Sequence, residues 1–248
     1  MKLLFASDLH GYDTAYLDFS NALKEGNFDL GVLGGDLMTF PSDEELKIAK
    51  GQLESEKTEV HNQNGSNDPK VVERALKNKQ HYYKQILRNS GKPIVFVMGN
   101  DDGILGNGSA WTTEKNIVGI NQRRAKYGKY NMVGYQYTPP FVGGTFEKNE
   151  ADQVKDFNVL EKLIDDNTVL ITHGPPWGIL DTASDGKNVG SKALRDLIEK
   201  RPPRLHLFGH VHRTFGIQGK HANGAYPSSR KFLCVDVEMQ EVEVFDYG

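Results

Sequence analysis

Apolar runs of about five residues punctuate the chain at 3–6, 30–33, 94–98, 169–172 and 205–208. Their hydrophobicity is nearly continuous rather than alternating, the pattern of strands covered on both faces. Segments of helical period lie between them. Asp68-Pro69 offers an N-cap and a first-turn proline to an apolar stripe at Val72, Ala75, Leu76, Tyr83, Ile86 and Leu87, which Gly91 and Pro93 end. Ser191 ahead of Leu194, Leu197 and Ile198, stopped by Pro202-Pro203, predicts another helix, and 13–24 and 152–164 predict two of weaker periodicity. From about residue 214 the pattern shortens to alternating runs at 231–237 and 241–245, which predicts antiparallel strands closing one edge of a sheet. Strands alternating with helices predict a layered α/β fold, whose functional groups gather at the carboxyl ends of strands.

The stretch 41–67 is least like a core. It opens with a capping box, Ser42 and Glu45, and runs through mixed charge into His61-Asn62-Gln63-Asn64-Gly65-Ser66-Asn67. This predicts a flexible insertion with a helical first part, either a solvated excursion or a lid. Otherwise 248 residues with 38% hydrophobic content fit a single domain over 1–248.

A net charge of −3 with mixed signs argues against a basic face that tracks a phosphate backbone, so extended nucleic acid is a poor default partner. Arg123, Arg124, Lys126 and Lys129 form a local cluster for which a solvated face is the better reading than a phosphate contact. Cys234 is the lone cysteine and has no disulfide partner, which suits a reducing cytosol. No apolar stretch approaches the length needed to cross a bilayer, and residues 2–6 are too short for a signal sequence. A cytoplasmic protein without membrane partners is expected.

Chemistry-bearing residues follow the apolar runs: Asp8-Leu9-His10, Gly35-Asp36, Gly99-Asn100-Asp101-Asp102, His173-Gly174 and Gly209-His210-Val211-His212. Each motif alone is ordinary, since Gly-Asp is mostly a turn and His-Gly mostly a loop. Five in order, after separate predicted strands, point to a two-metal hydrolase site. Carboxylate, imidazole and amide oxygen together suit Mn, Fe, Zn or Co, and the lack of thiolate excludes a structural zinc cluster. Asp8 and His10 are two apart, so an extended strand end would point both side chains the same way, and His210 and His212 would repeat that geometry. Asp36 follows two glycines that permit a tight turn, where its carboxylate is placed to bridge two ions. Cations about 3.5–4 Å apart can hold a phosphoryl group, generate hydroxide near neutral pH and steady the leaving oxygen. Trp177, after a proline pair, either walls the pocket or packs the loop. His206 reads as a core histidine, and His61, His81 and His221 as surface residues. Phosphate-cradling glycine loops and a Gly-x-Ser-x-Gly elbow are absent.

These blocks, Ala6-Ser7-Asp8-Leu9-His10, Gly34-Gly35-Asp36-Leu37, Met98-Gly99-Asn100-Asp101-Asp102, Thr172-His173-Gly174-Pro175-Pro176 and Phe208-Gly209-His210-Val211-His212, resemble those of the calcineurin-like metallophosphoesterases. The segments 173–178 and 190–194 resemble in particular a branch containing the metallophosphoesterase-domain proteins and prokaryotic phosphodiesterases. The resemblance implies a four-layer α-β-β-α sandwich of two mixed sheets. It implies one divalent metal held by Asp8, His10, Asp36 and His212, and a second held by Asp36, Asn100, His173 and His210. Manganese is the first expectation for both ions, with Fe, Zn, Co or Ni as alternatives. It further implies a small phosphoester substrate, attacked by a hydroxide bridging the metals; Asn100 and, from its place beside His173, Trp177 are the candidate substrate contacts, and Asp101 and Asp102 are the candidate catalytic carboxylates, Asp102 at a position that usually orients its neighbour. In the family a histidine often follows the metal-binding asparagine and protonates the leaving group. Here Asp101 stands in that place, and beside two cations it stays an anion and donates no proton. Two other readings accompany a phosphodiesterase: a catalytically weak scaffold of this fold that binds a protein partner, and a nuclease.

Overall fold

The computed structural model describes residues 1–56, 68–103, 111, 113–141 and 143–247. Twelve strands run in chain order as β1 (Lys2–Ala6), β2 (Leu30–Leu33), β3 (Ile94–Phe96), β4 (Ile117–Gly119), β5 (Arg124–Tyr127), β6 (Tyr130–Tyr135), β7 (Thr168–Thr172), β8 (Leu205–Phe208), β9 (Gly216–Gln218), β10 (His221–Asn223), β11 (Phe232–Asp236) and β12 (Glu241–Phe245). The helices are α1 (Asp13–Glu25), α2 (Asp43–Ser55), α3 (Pro69–Arg88), α4 (Glu150–Leu160), α5 (Lys192–Lys200) and α6 (Tyr226–Ser229). The strands form two six-stranded mixed sheets, ordered β12-β11-β1-β2-β3-β4 and β5-β6-β7-β8-β10-β9. β1 to β4 are parallel, as are β6 to β8, while β11 and β12 add antiparallel to the edge of the first sheet, as their alternating pattern predicted.

Side-chain alternation builds the layers. Leu3 and Phe5 of β1 face inward with Val32, Val169, Ile171, Leu205 and Leu207, filling the space between the sheets. Leu4 and Ala6 face outward, where Tyr16, Phe19, Val72, Leu76 and Leu87 from α1 and α3 cover them. On the far side, Leu170 and Phe208 meet Phe157 and Leu160 of α4 and Leu194, Leu197 and Ile198 of α5. The result is the α-β-β-α sandwich, and each fully buried Leu, Val or Phe contributes about 1.5–3 kcal/mol to it.

Local signals account for the helix starts. Asp68 accepts from Lys70 N at the head of α3, and Ser42 and Glu45 form the reciprocal capping box of α2. Within the 41–67 segment, α2 buries Leu46, Ala49 and Leu53, while the polar part at 57–67 lies outside the described residues. β5 and β6 carry no apolar run that announces them. Arg124 and Lys126 alternate along the edge strand β5, where charged side chains discourage pairing with another sheet. Arg124 donates to Leu163 O and pairs with Asp165 at 3.2 Å, and Lys129 pairs with Glu238 at 2.7 Å, so both cations have partners away from the motif loops. No described helix is long and apolar enough to cross a membrane.

Candidate metal centre

All five motif loops leave the carboxyl ends of parallel strands, from β1, β2 and β3 in one sheet and β7 and β8 in the other. They are laced together by backbone bonds: Asp8 N to Gly35 O at 2.8 Å, His10 N to Asp36 O at 2.9 Å, and Gly209 N to His173 O at 2.9 Å. Asp102 is fully buried and joins two loops. Its Oδ1 accepts from Leu37 N and Met38 N at 2.8 and 3.0 Å, and its Oδ2 accepts from Gly99 N at 2.9 Å.

The loops bring together Asp8, His10 and His212 as one donor group and Asp36, His173 and His210 as another, each with ligand atoms within 4.8 Å of one another. A third grouping, His10, Asp36 and Asp101, adjoins the first two. Asp36 is the link, with Oδ2 3.2 Å from His173 Nε2 and 4.0 Å from His10 Nε2. Asn100 Oδ1 lies 3.1 Å from His173 Nε2, and Asp8 Oδ1 lies 3.3 Å from His212 Nε2.

Asp8 and His10 do not sit on the extended strand end that their spacing predicted. β1 stops at Ala6, and Asp8 and His10 both adopt left-handed backbone, with φ of 58° and 43°. Asp36 and His210 do the same, at 49° and 68°. Asp8 and His10 still converge in one donor group, whereas His210 and His212 part: the first turns toward His173 and the second toward Asp8. Non-glycine residues in this region cost roughly 1–3 kcal/mol each and collect where function holds them. Close packing leaves no room for side chains between the ligands: a Cβ on Gly99 would stand 2.1 Å from Asp36 Oδ1, and one on Gly209 2.2 Å from Asp8 Oδ2.

Electrostatics fit cations. His10 Nε2 and His212 Nε2 face each other at 3.1 Å, close enough for one ring to donate to the other or for both lone pairs to hold a shared cation. His173 donates from Nδ1 to Gly34 O at 2.9 Å, which turns the Nε2 lone pair toward Asp36 and Asn100. Although burial opposes it, the negative charge of Asp36 pushes His173 up to about 10, so without metal a proton takes up that charge. Burial opposes the depressed carboxyls as well, yet the His212 hydrogen bond with the His173 charge lowers Asp8, and His173 lowers Asp36. Burial and then the His173 charge push His210 down to about 4, the neutral form a ligand needs. Burial and the charge of Asp36 raise Asp101, and together they push Asp102 up to about 8 against its backbone donors. The donor groups contain no cysteine, and their nitrogen and oxygen atoms suit divalent first-row metals.

A cleft of about 450 Å³ opens over His10, Asp36, Asn100, Asp101, His210 and His212, within the usual range for small-molecule sites. Its remaining walls are Phe141, Ala183, Ser184, Val189, Val211 and Arg213. Trp177 does not line it; Trp177 N donates to Ser191 O at 2.9 Å and its ring lies under Lys192 Nζ at 4.7 Å, so it packs the neighbouring loop. Phe141 is the aromatic residue at this cleft, and sequence reasoning passed over it although it sits between Pro139-Pro140 and Gly143-Gly144, a turn-rich setting for an exposed ring. His206 is buried as expected. His221 is half-buried against it with Nδ1 atoms 3.4 Å apart, not a free surface residue, whereas His81 is exposed and His61 lies outside the described residues.

Residues 1–214 match the sequence profile of the calcineurin-like phosphoesterases. UPF0046 protein K07C11.7 of Caenorhabditis elegans is 30% identical over 113 residues, 46% of this chain and 38% of its own length. Human metallophosphoesterase domain-containing protein 1 is 33% identical over 105 residues, 41% of this chain and 31% of its own. The matched segments therefore span less than two-fifths of these relatives. The crystal structure of TT1561 from Thermus thermophilus superposes over 100% of this chain and 99% of its own with a TM-score of 0.66 at 14% identity, a likeness of fold.

Proposed function

This chain belongs to the calcineurin-like phosphoesterase family, and from that premise we propose that it is a phosphodiesterase working at a two-cation centre. The observation that carries the reading is the pair of donor groups, Asp8-His10-His212 and Asp36-His173-His210, joined through Asp36. Asp8, His10 and His212 would hold one ion, His173, His210 and Asn100 the other, and the Asp36 carboxylate would be shared. When bound, such ions supply the charge that polarises a phosphoryl oxygen and ionises attacking water near neutral pH. Manganese is our first choice, on the mixture of imidazole, carboxylate and amide donors.

The chain's own residues argue for diesters. Asp101 lines the cleft with Oδ2 3.6 Å from His10 Nδ1, and Asn100 Nδ2 donates to its Oδ1 at 2.8 Å. Facing bound cations, it stays ionised. Its repulsion of a dianionic monoester is about twice that of a monoanionic diester at the same distance. Nor does it donate a proton to the departing alkoxide, so substrates with good leaving groups are favoured. Asp102 acts as a positioning residue, fixing the Gly99 loop against the Asp36 loop.

Chelation is expected to abolish hydrolysis of bis(p-nitrophenyl) phosphate and Mn²⁺ to restore it, while Asp36→Ala and His173→Ala stay inactive with metal present. Full activity in either variant overturns the reading. Two ions per chain without turnover on a broad phosphoester panel would instead favour a partner-binding scaffold, the reading that Asp101 in the usual histidine's place supports.

A further inference from the structure

Phe141 is an apolar ring left in the open beside the metal ligands. It is 67% exposed and lines the cleft, with its ring 5.5 Å from that of His210 at an interplanar angle of 85°. Exposed phenylalanines are commonplace, but this one stands at the wall of the cleft that holds the donor groups. The turn that carries it is pinned: Phe141 N and Gly143 N both donate to Glu147 Oε2, at 2.8 and 3.0 Å, and Thr138 N donates to Phe146 O at 3.0 Å. The same turn is seated on the ligand loop, since a Cβ on Gly144 would stand 2.9 Å from Asn100 O. The backbone of Phe141 is therefore tied to Glu147 beside the Asn100 loop, which sets its ring at the mouth of the cleft. Ala183 and Val189 give the cleft further apolar surface.

Resting on the phosphodiesterase reading, we propose that Phe141 is a substrate-binding platform that selects phosphodiesters carrying an aromatic group, an aryl ring or a nucleobase, on one ester arm. The phosphoryl group occupies the cation end of the cleft and the planar arm lies against the Phe141 ring. Stacking on an aromatic side chain asks only for a π-face, so the platform discriminates flat arms from alkyl arms and does not select among bases. A phenylalanine has only two side-chain torsions to order, so the cost of fixing the ring against a ligand is small.

The test uses methyl(phenyl)phosphinate and dimethylphosphinate, monoanions with no bond to hydrolyse and one arm changed. Calorimetry on the Mn²⁺-loaded protein is expected to give about tenfold tighter binding of the phenyl compound. Phe141→Ala should bring that ratio to within about twofold of unity, and Phe141→Tyr should keep it. Loss of fold or of metal would weaken both ligands alike, whereas the ratio reports the platform. An unchanged ratio in Phe141→Ala, or no phenyl preference in the wild type, overturns the inference. Hydrolysis of bis(p-nitrophenyl) phosphate is measured on the same samples: no turnover with an intact, Phe141-dependent ratio sinks the diesterase reading and leaves the platform standing.

Discussion

Asp101 shows how one residue redirects a loop whose other members fit the family pattern. Its carboxylate lines the cleft beside His10, so with cations present it neither protonates a leaving group nor welcomes a dianion. Asp101→His is therefore expected to raise turnover most on diesters with poor leaving groups, by up to the about hundred-fold that general-acid help commonly gives at its low end. The check is the dependence of log(kcat/KM) on leaving-group pKa across substituted phenyl phosphodiesters, which should be steep in the wild type and flatter in the variant. A second prediction concerns His206, away from the metal loops. Thr172 donates its hydroxyl to Gly174 O at 2.6 Å, so His206 Nε2 donates to Thr172 Oγ1 at 2.9 Å and Nδ1 keeps its lone pair toward His221. Burial, then the charge of His221, holds His206 well below its ordinary 6.5. The folded state refuses a proton that the unfolded chain accepts below 6.5, so this group's contribution is complete above that pH and is lost as pH falls. His221 is lowered too, by burial and the charges of Arg195 and Lys220. The stability of the wild type in chemical denaturation is expected to fall by about 1.4 kcal/mol for each pH unit below 6.5 through His206, and His206→Phe should remove that slope.

Among the elements, the strands and helices that bury a full face were legible in the sequence, because a continuous apolar run or a 3.6-residue stripe is a local property. Ile94, Val169 and Leu205 announce β3, β7 and β8, and Ser191 with Leu194, Leu197 and Ile198 announces α5. β6 stayed hidden although it is buried throughout, since Tyr130, Asn131 and Gly134 break its apolar run. β5 looked like a charge cluster because an edge strand tolerates Arg124 and Lys126. The candidate donor residues were legible as types and as an order, but not in their local shape. Left-handed backbone at Asp8, His10, Asp36 and His210 goes with loops from separate parts of the chain packed so closely that a Cβ on Gly99 would meet Asp36 and one on Gly209 would meet Asp8. Phe141 was hidden for a similar reason, since its position depends on Glu147 and Asn100 rather than on its neighbours in sequence. α5 offers a test of element packing that spares the site. Leu197 is buried among Phe157, Leu160 and Leu194, so Leu197→Ala should cost about 2–4 kcal/mol in chemical denaturation while leaving metal stoichiometry unchanged.

For the molecule as a whole, the decisive fact is that the donor groups are drawn from both sheets. Asp8, Asp36 and Asn100 leave β1, β2 and β3, whereas His173, His210 and His212 leave β7 and β8. Each group therefore needs the two sheets in register: Asp8 meets His212 across the interface, and Asp36 meets His173. Between the sheets the core of Phe5, Val32, Ile171 and Leu207 is apolar and without direction, so it fixes separation more strongly than alignment. Cations bound at the strand ends would add directional ties at one edge of that interface. Because they bind the folded chain and not the unfolded one, a free concentration one hundred times the dissociation constant stabilises by about 2.7 kcal/mol per site. For a chain of this size that corresponds to about 5–10 °C in Tm. Chelation of both ions should lower the calorimetric Tm by about twice that amount, and amide exchange should quicken together in the loops after β1, β2, β7 and β8. Faster exchange confined to the loops of one sheet would show that its ligands close on metal without the other sheet, and that the cations do not tie the two sheets together.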